Sequence, residues 1–255
     1  MVGLARRILP HGPVDVLRQL LLFCGAYWLY RLVRGMVDGR ATEAFANARE
    51  IIDIERGLGL FIEPSVHAWA SGSQLINDAS SWMYLNSHFA VTTATLAWIY
   101  LRRNERFYFV RNMFMVAMGL ALVGYAALPT APPRFMPEWG FTDSVAAFTG
   151  VDAESGSADV LFNPFAAVPS MHVAFALMIG LTMSRLVRRR WAQVLWWAYA
   201  PVVTFVVIAT ANHWWFDAFL GGLVAAVSAL AAHGFFARVR PEVWAWNARQ
   251  APAAI

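Results

Sequence analysis

Runs of about 18 or more predominantly apolar residues recur along this chain, and a helix of that length crosses the ~30 Å hydrocarbon core of a bilayer. Six such runs are readable, at 16–34, 76–101, 107–128, 169–186, 192–211 and 214–237. In hydrocarbon every backbone N–H and C=O must be paired within the segment, so runs of this kind form helices. Of the 255 residues, 59% are hydrophobic and 14% charged, against roughly 25% charged in a soluble domain. The expected fold is an all-α integral membrane domain, a six-transmembrane-helix bundle spanning 1–255 as one unit. Asn77, Asp78, Asn86 and His88 interrupt the second run, and Pro201 in the fifth predicts a kink.

Charge placement orients the bundle. All 20 basic residues are Arg, and cytoplasmic loops are enriched in positive charge. Arg6, Arg7 and Arg18; Arg102, Arg103, Arg106 and Arg111; Arg185, Arg188, Arg189 and Arg190; and Arg238, Arg240 and Arg249 all fall on one side of six crossings, 14 against 6. Both termini are therefore expected in the cytoplasm of a plasma (inner) membrane, with the first run retained as a helix because no small-x-small cleavage pattern follows it. No stretch joins clustered Arg to a soluble fold, so nucleic acid is not the expected partner. Cys24 is the single cysteine, which excludes an intramolecular disulfide.

Two polar stretches fall on the outer side. Within 35–75, Ala44, Phe45, Ala48, Ile51 and Ile52 recur at helical spacing between Thr42, a candidate cap, and Gly57, a stop. This predicts an extracytoplasmic amphipathic helix over about 42–56, lying on the membrane surface. Residues 129–168 are rich in Pro, Gly, Asp and Ser, a length at which loops usually carry function.

Three short motifs converge on that side: Pro129-Thr130-Ala131-Pro132-Pro133-Arg134, Pro169-Ser170-Met171-His172 and His213-Trp214-Trp215-Phe216-Asp217. His213 and Asp217, four residues apart at a helix start, can touch along one face. A carboxylate on one imidazole nitrogen leaves the other unprotonated, as a nucleophile or base requires. Taken alone, such a pair also serves to solvate a helix end. His172 opens the fourth helix behind Pro169 and Ser170, where unpaired backbone N–H groups bind anions and an adjacent His can act as general acid and then base. Arg134 follows two prolines, and its planar fork matches phosphate oxygens. No Asp/Glu/His set at these motifs has metal-ligand spacing, so neither metal nor cofactor is expected.

Other polar residues in or beside the runs, His88, Glu55, Asn47 and Asn86, are read first as structural, His88 with a possible secondary role across helices. No partner is evident for His67 or His233, and His11 belongs to the terminal segment. Trp139, Trp214 and Trp215 suit the aromatic belt.

Over residues 77–237 the chain resembles the type-2 phosphatidic acid phosphatase superfamily, particularly its branch related to fungal inositol phosphorylceramide synthase. Pro169-Ser170-Met171-His172 resembles the second motif, His213-x-x-x-Asp217 the third, and Pro132-Pro133-Arg134 a shortened first. The resemblance implies a six-helix bundle, with His213 the phosphoryl acceptor, Asp217 its orienter, His172 the acid, and Arg134, with Ser170 and Met171, the substrate-binding set, without metal. Two cationic phosphate ligands of the phosphatase pattern are absent: Ala127 stands for a Lys, and Val206-Val207 for a Ser-Arg pair. Arg49 and Arg56 on the surface helix are candidate substitutes; otherwise the substrate is a less charged phosphodiester. The expectation is a lipid phosphatase or phosphotransferase acting through a phosphohistidine on a lipid phosphate in the bilayer. The alternative is a non-catalytic transporter or scaffold of the same fold, whose expected signature is loss of one His or of the Asp.

Overall fold

The computed structural model describes residues 9–35, 38–150 and 165–246, and among these no strand forms beyond an isolated bridge between Thr130 and Ala166. The main helices are α1 (Gly12–Gly35), α2 (Ala41–Gly57), α3 (Glu63–Ser71), α4 (Gln74–Arg102), α5 (Asn104–Ala127), α6 (Ser144–Thr149), α7 (Met171–Leu186), α8 (Arg190–Ala209) and α9 (Trp215–Ala231). A π-helical turn at Ala232–Phe236 carries α9 onward.

Each of the six apolar runs is a helix. Those at Asn104–Ala127, Arg190–Ala209 and Trp215–Val239 are long and apolar enough to cross a membrane. Helix α7 is apolar but has 16 residues, about 24 Å at 1.5 Å per residue. Helix α1 has 24 residues and α4 has 29, a sufficient length, but α4 falls below the same apolar measure. In α4 the cause is visible: Asn86, His88, Thr92 and Thr93 lower its hydropathy, and three of these four line an internal cavity instead of facing lipid.

The central helix is α7, which packs against α8, α9, α5 and α4. Its Ala174, Met178 and Ile179 are buried with Phe114, Ala117 and Ala121 of α5. Its other face, Val173 and Ala176, meets Val203 and Val207 of α8 and Ala218 of α9. Helix α1 docks on α5 through a buried polar knot, where Asp15 accepts hydrogen bonds from the Tyr100 and Tyr108 hydroxyls at 2.8 and 2.9 Å. Arg111 donates to Gln19 at 3.1 Å and stacks on Tyr108 and Trp244. Arg111, counted above among the flanking charges, is thus a buried cross-link between helices.

The amphipathic helix is present as α2, but its apolar stripe is not turned to lipid. Ala44, Ala48, Ile51 and Ile52 are buried against Ala131, Met136, Phe141 and Trp214 of the chain itself. A ready-made apolar partner in the same chain satisfies the stripe, so membrane immersion of that face is corrected to packing on the 129–141 loop. Thr42 is not the cap either: the helix begins at Ala41 after Arg40, with no side-chain cap. Helices α3 and α6 were not foreseen. Within the long loop, Asp143 caps α6 by accepting from the N–H groups of Val145 and Ala146, and the part at 151–164 lies outside the described residues.

Candidate active site

The start of α7 is built from behind. Ser170 is its N-cap, accepting from the N–H of Val173 at 3.5 Å, and Pro169 stands one residue before the cap rather than in the first turn. Ser170 is wholly buried and its N–H donates to the Asp217 carbonyl at 3.0 Å. The Tyr125 hydroxyl donates to the Pro169 carbonyl at 3.3 Å. At Gly221 a β-carbon would sit 2.3 Å from the Ser170 carbonyl oxygen, so only glycine lets α9 approach the beginning of α7 this closely. Two motifs 40 residues apart are thereby pinned together. Ser170, expected at the substrate, holds the helix start instead, while its neighbour Met171 lines the cavity.

His213 and Asp217 touch, with Nδ1 3.1 Å from Oδ2, but not as successive turns of one helix. Helix α9 begins at Trp215, Trp214 is its N-cap, and His213 precedes the cap. The same Asp217 oxygen accepts the Trp214 N–H at 2.9 Å, so one carboxylate caps the helix and orients the imidazole. A carboxylate oxygen accepts, so this contact selects the ring forms with the proton on Nδ1, and in the neutral one Nε2 keeps its lone pair. Asp217 is fully buried and His213 nearly so. Trp214, expected in the aromatic belt, is instead completely buried, with its indole N–H donating to the Ala131 carbonyl at 3.0 Å.

Arg134 is fastened through its backbone N–H to the Ala211 carbonyl at 2.8 Å. Its guanidinium donates to Asn212 Oδ1 and lies 3.4 Å from Asp143 Oδ2. Asn47 donates to the Pro129 carbonyl at 2.8 Å, and Ala131 N–H to the Ala44 carbonyl at 3.0 Å, so α2 braces the loop that carries Arg134.

These parts open on one cavity of about 970 Å³, whose lining includes Arg134, Met171, His172, Asn212, His213 and His88. The His172 and His213 ring centroids are 5.7 Å apart. On its other side His172 stacks on Tyr84 at 4.6 Å and lies 4.4 Å from His88, whose ring stacks on Phe175. From there the cavity continues as an apolar groove between α1 and α4, past Phe23, Leu20, Val16 and Leu96 to Tyr100 and Leu101. From Tyr84 to Leu101 along α4 is about 26 Å, close to the depth of a bilayer's hydrocarbon core.

Arg49 and Arg56 do not line this cavity; both are exposed, and Arg56 lies 5.3 Å over the Trp139 ring. The positions where the resemblance leads one to expect a Ser-Arg pair, Val206 and Val207, are core residues, and the Val207 carbonyl holds the N–H groups of Asn212 and His213. His67 has partners after all. It is buried, with Nδ1 donating to the Ala209 carbonyl at 2.8 Å and Nε2 facing the N–H and hydroxyl of Thr142 at 3.1 and 3.0 Å.

Four residues near the site were not read from sequence as parts of it: Tyr84, Asn212, Asp143 and Glu63. Asn212 had one available signal, its adjacency to His213; Asp143 shares the polar stretch of Arg134 but no marked spacing with it, and the contacts of Tyr84 and Glu63 join segments far apart in the chain. Glu63 accepts the Trp215 N–H at 2.9 Å, and Glu55, read as structural, accepts the Phe216 N–H at 2.8 Å.

A family model described as the PAP2 superfamily matches residues 49–232, which includes Arg134, His172, His213 and Asp217. The chain belongs to the PAP2 superfamily. Members of this superfamily are generally phosphatases, and the three long apolar helices agree with a membrane protein. No curated protein and no solved structure gives a significant match. The PAP2 match stops short of α1, whose docking against α4 and α5 completes the groove.

Proposed function

We propose that the protein is a metal-independent membrane lipid phosphatase or phosphotransferase that works through a phosphohistidine on His213. The observation that carries this reading is the convergence of His213, held by Asp217, with His172 and Arg134 at the head of a groove as long as a lipid tail. In the first step Nε2 of His213 attacks phosphorus and the bond to the lipid or headgroup oxygen breaks. His172 gives that oxygen its proton. In the second step a water or alcohol attacks phosphorus, the P–N bond breaks, and His172 takes the proton from the incoming oxygen. Arg134 offsets charge on the equatorial phosphate oxygens.

Hydrolysis and headgroup transfer differ only in the acceptor of the second step. With apolar Val206 and Val207 and the exposed Ala127 at positions where phosphatases of the resembled pattern carry cationic ligands, the site suits a phosphodiester or singly charged phosphate. This supports the branch related to inositol phosphorylceramide synthase. We read six crossings, with both termini cytoplasmic and the site facing outward at the plasma (inner) membrane. The scaffold or transporter alternative predicts loss of one of His172, His213 and Asp217, and all three are present.

The test is turnover of purified protein in nanodiscs on a panel of lipid phosphomonoesters and phosphodiesters, with and without EDTA. The expected result is turnover on at least one lipid, unchanged by the chelator. Loss with EDTA and recovery with magnesium would overturn the histidine mechanism, and inactivity on the whole panel would favour the scaffold.

A further inference from the structure

The first turn of α9 carries more acid than a helix start requires. Its N-terminal amides are taken in order: Trp214 N–H by Asp217, Trp215 N–H by Glu63 and Phe216 N–H by Glu55, at 2.9, 2.9 and 2.8 Å. Glu55 comes from α2 and Glu63 from α3, 152 and 161 residues away from the amides they meet when read as Glu63 to Trp215 and Glu55 to Phe216. Both glutamates are buried, at 3% and 0% exposure. Each uses one oxygen on an amide, and the second, Oε2, is buried without a donor among the described residues.

The charged groups facing Glu55 are Glu63 on α3 and Asp217 on α9, both acidic. Arg56, next on α2, turns outward onto Trp139, and Arg134 is engaged by Asp143 and Asn212. Among the described residues neither glutamate forms an ion pair. Two bare carboxylates side by side in such a place would repel each other and Asp217, and burial disfavours each charge. The two carboxyls meet adjacent amides of one helix turn, and a single proton held between them removes one charge and gives the orphaned oxygens a hydrogen bond. Burial, and then the neighbouring Glu63, push the Glu55 pKa up to about 9.

We propose that Glu55 and Glu63 share one proton and act as a positioning pair, fixing the first turn of α9 and with it the aim of His213. The pair touches no reacting atom and works through the helix that holds Asp217 and His213. It also occupies the amides with which a helix start would bind phosphate, leaving substrate to Arg134 and the start of α7. The proposal rests on His213 as nucleophile, and its test includes an arm that needs no substrate.

Glu55→Gln keeps the acceptor for Phe216 N–H and offers Glu63 a permanent donor, so it imitates the protonated acid; Glu55→Ala removes both. Thermal stability in nanodiscs is measured from pH 5 to 10, with kcat and KM alongside. A folded pKa above the unfolded one means that the native state holds the proton, so wild-type stability falls as pH rises from about 4.5 to about 9. In Glu55→Gln that slope flattens and kcat stays near wild type, with its alkaline limb moved upward. In Glu55→Ala kcat falls by about 10²-fold at unchanged KM, as for misaimed catalytic groups. Equal stability slopes in wild type and Glu55→Gln, or a Glu55→Gln as inactive as Glu55→Ala, would overturn the pair. If Glu55→Ala does not fold, the Glu55→Gln and Glu63→Gln slopes decide. Should His213→Ala retain turnover, the nucleophile reading falls, and the stability slopes still report on the shared proton.

Discussion

At the scale of single residues, Asp217 carries three tasks at once: it orients His213, caps α9 through Trp214 N–H, and accepts the Ser170 N–H with its backbone carbonyl. Asp217→Asn keeps the backbone bond and the carbonyl acceptor but removes the charge that stabilises the imidazolium and permits the wrong tautomer. We expect kcat to fall by about 10²–10⁴-fold, with a small change in melting temperature. A wild-type kcat would show that the pair only caps the helix. The pairing of His213 with Asp217 was legible from four-residue spacing, yet the contact arises from a cap, not from one helical face. Arg134 was legible as a fork set by two prolines. Its partner Asn212 was not, because no local pattern marks a contact across 78 residues, and Asp143, although in the same loop, stands at no spacing that marks an ion pair.

Among the elements, the length of the apolar runs located the six helices to within a few residues at most ends. Helical spacing found α2, but spacing reports that a face is apolar and not what covers it, and the cover here is protein. Helix α3 is nine residues and α6 six, too short for a periodic signal. The joint between α7 and α9 depends on a missing side chain. A β-carbon at Gly221 meets backbone, which cannot swing away, whereas at Gly222 its nearest neighbour is a Leu177 methyl at 3.6 Å. Gly221→Ala should therefore cost about 1–3 kcal/mol and most of the turnover, while Gly222→Ala stays near neutral. Thermal unfolding and activity of the two variants check this, and equal behaviour would contradict the close approach.

For the molecule as a whole, the arrangement couples a polar head to an apolar groove. Arg134, His172 and His213 gather at one end, and the groove runs between α1 and α4 to the knot of Asp15, Gln19, Tyr100 and Arg111. The bundle class was legible because hydrocarbon permits so few backbone solutions. The groove was not, because it is lined from α1, α4, α5 and α7 at once, and His88 and the threonines of α4 read in sequence only as interruptions. In the proposed function all of this organisation serves one atom, Nε2 of His213. The most direct measurement is rapid quenching of the purified protein during turnover of a lipid labelled with ³²P in its phosphate, followed by mapping of the bound label. The account predicts an acid-labile, base-stable label on His213 that disappears in His213→Ala together with turnover; turnover without label, or a label on another residue, would contradict it.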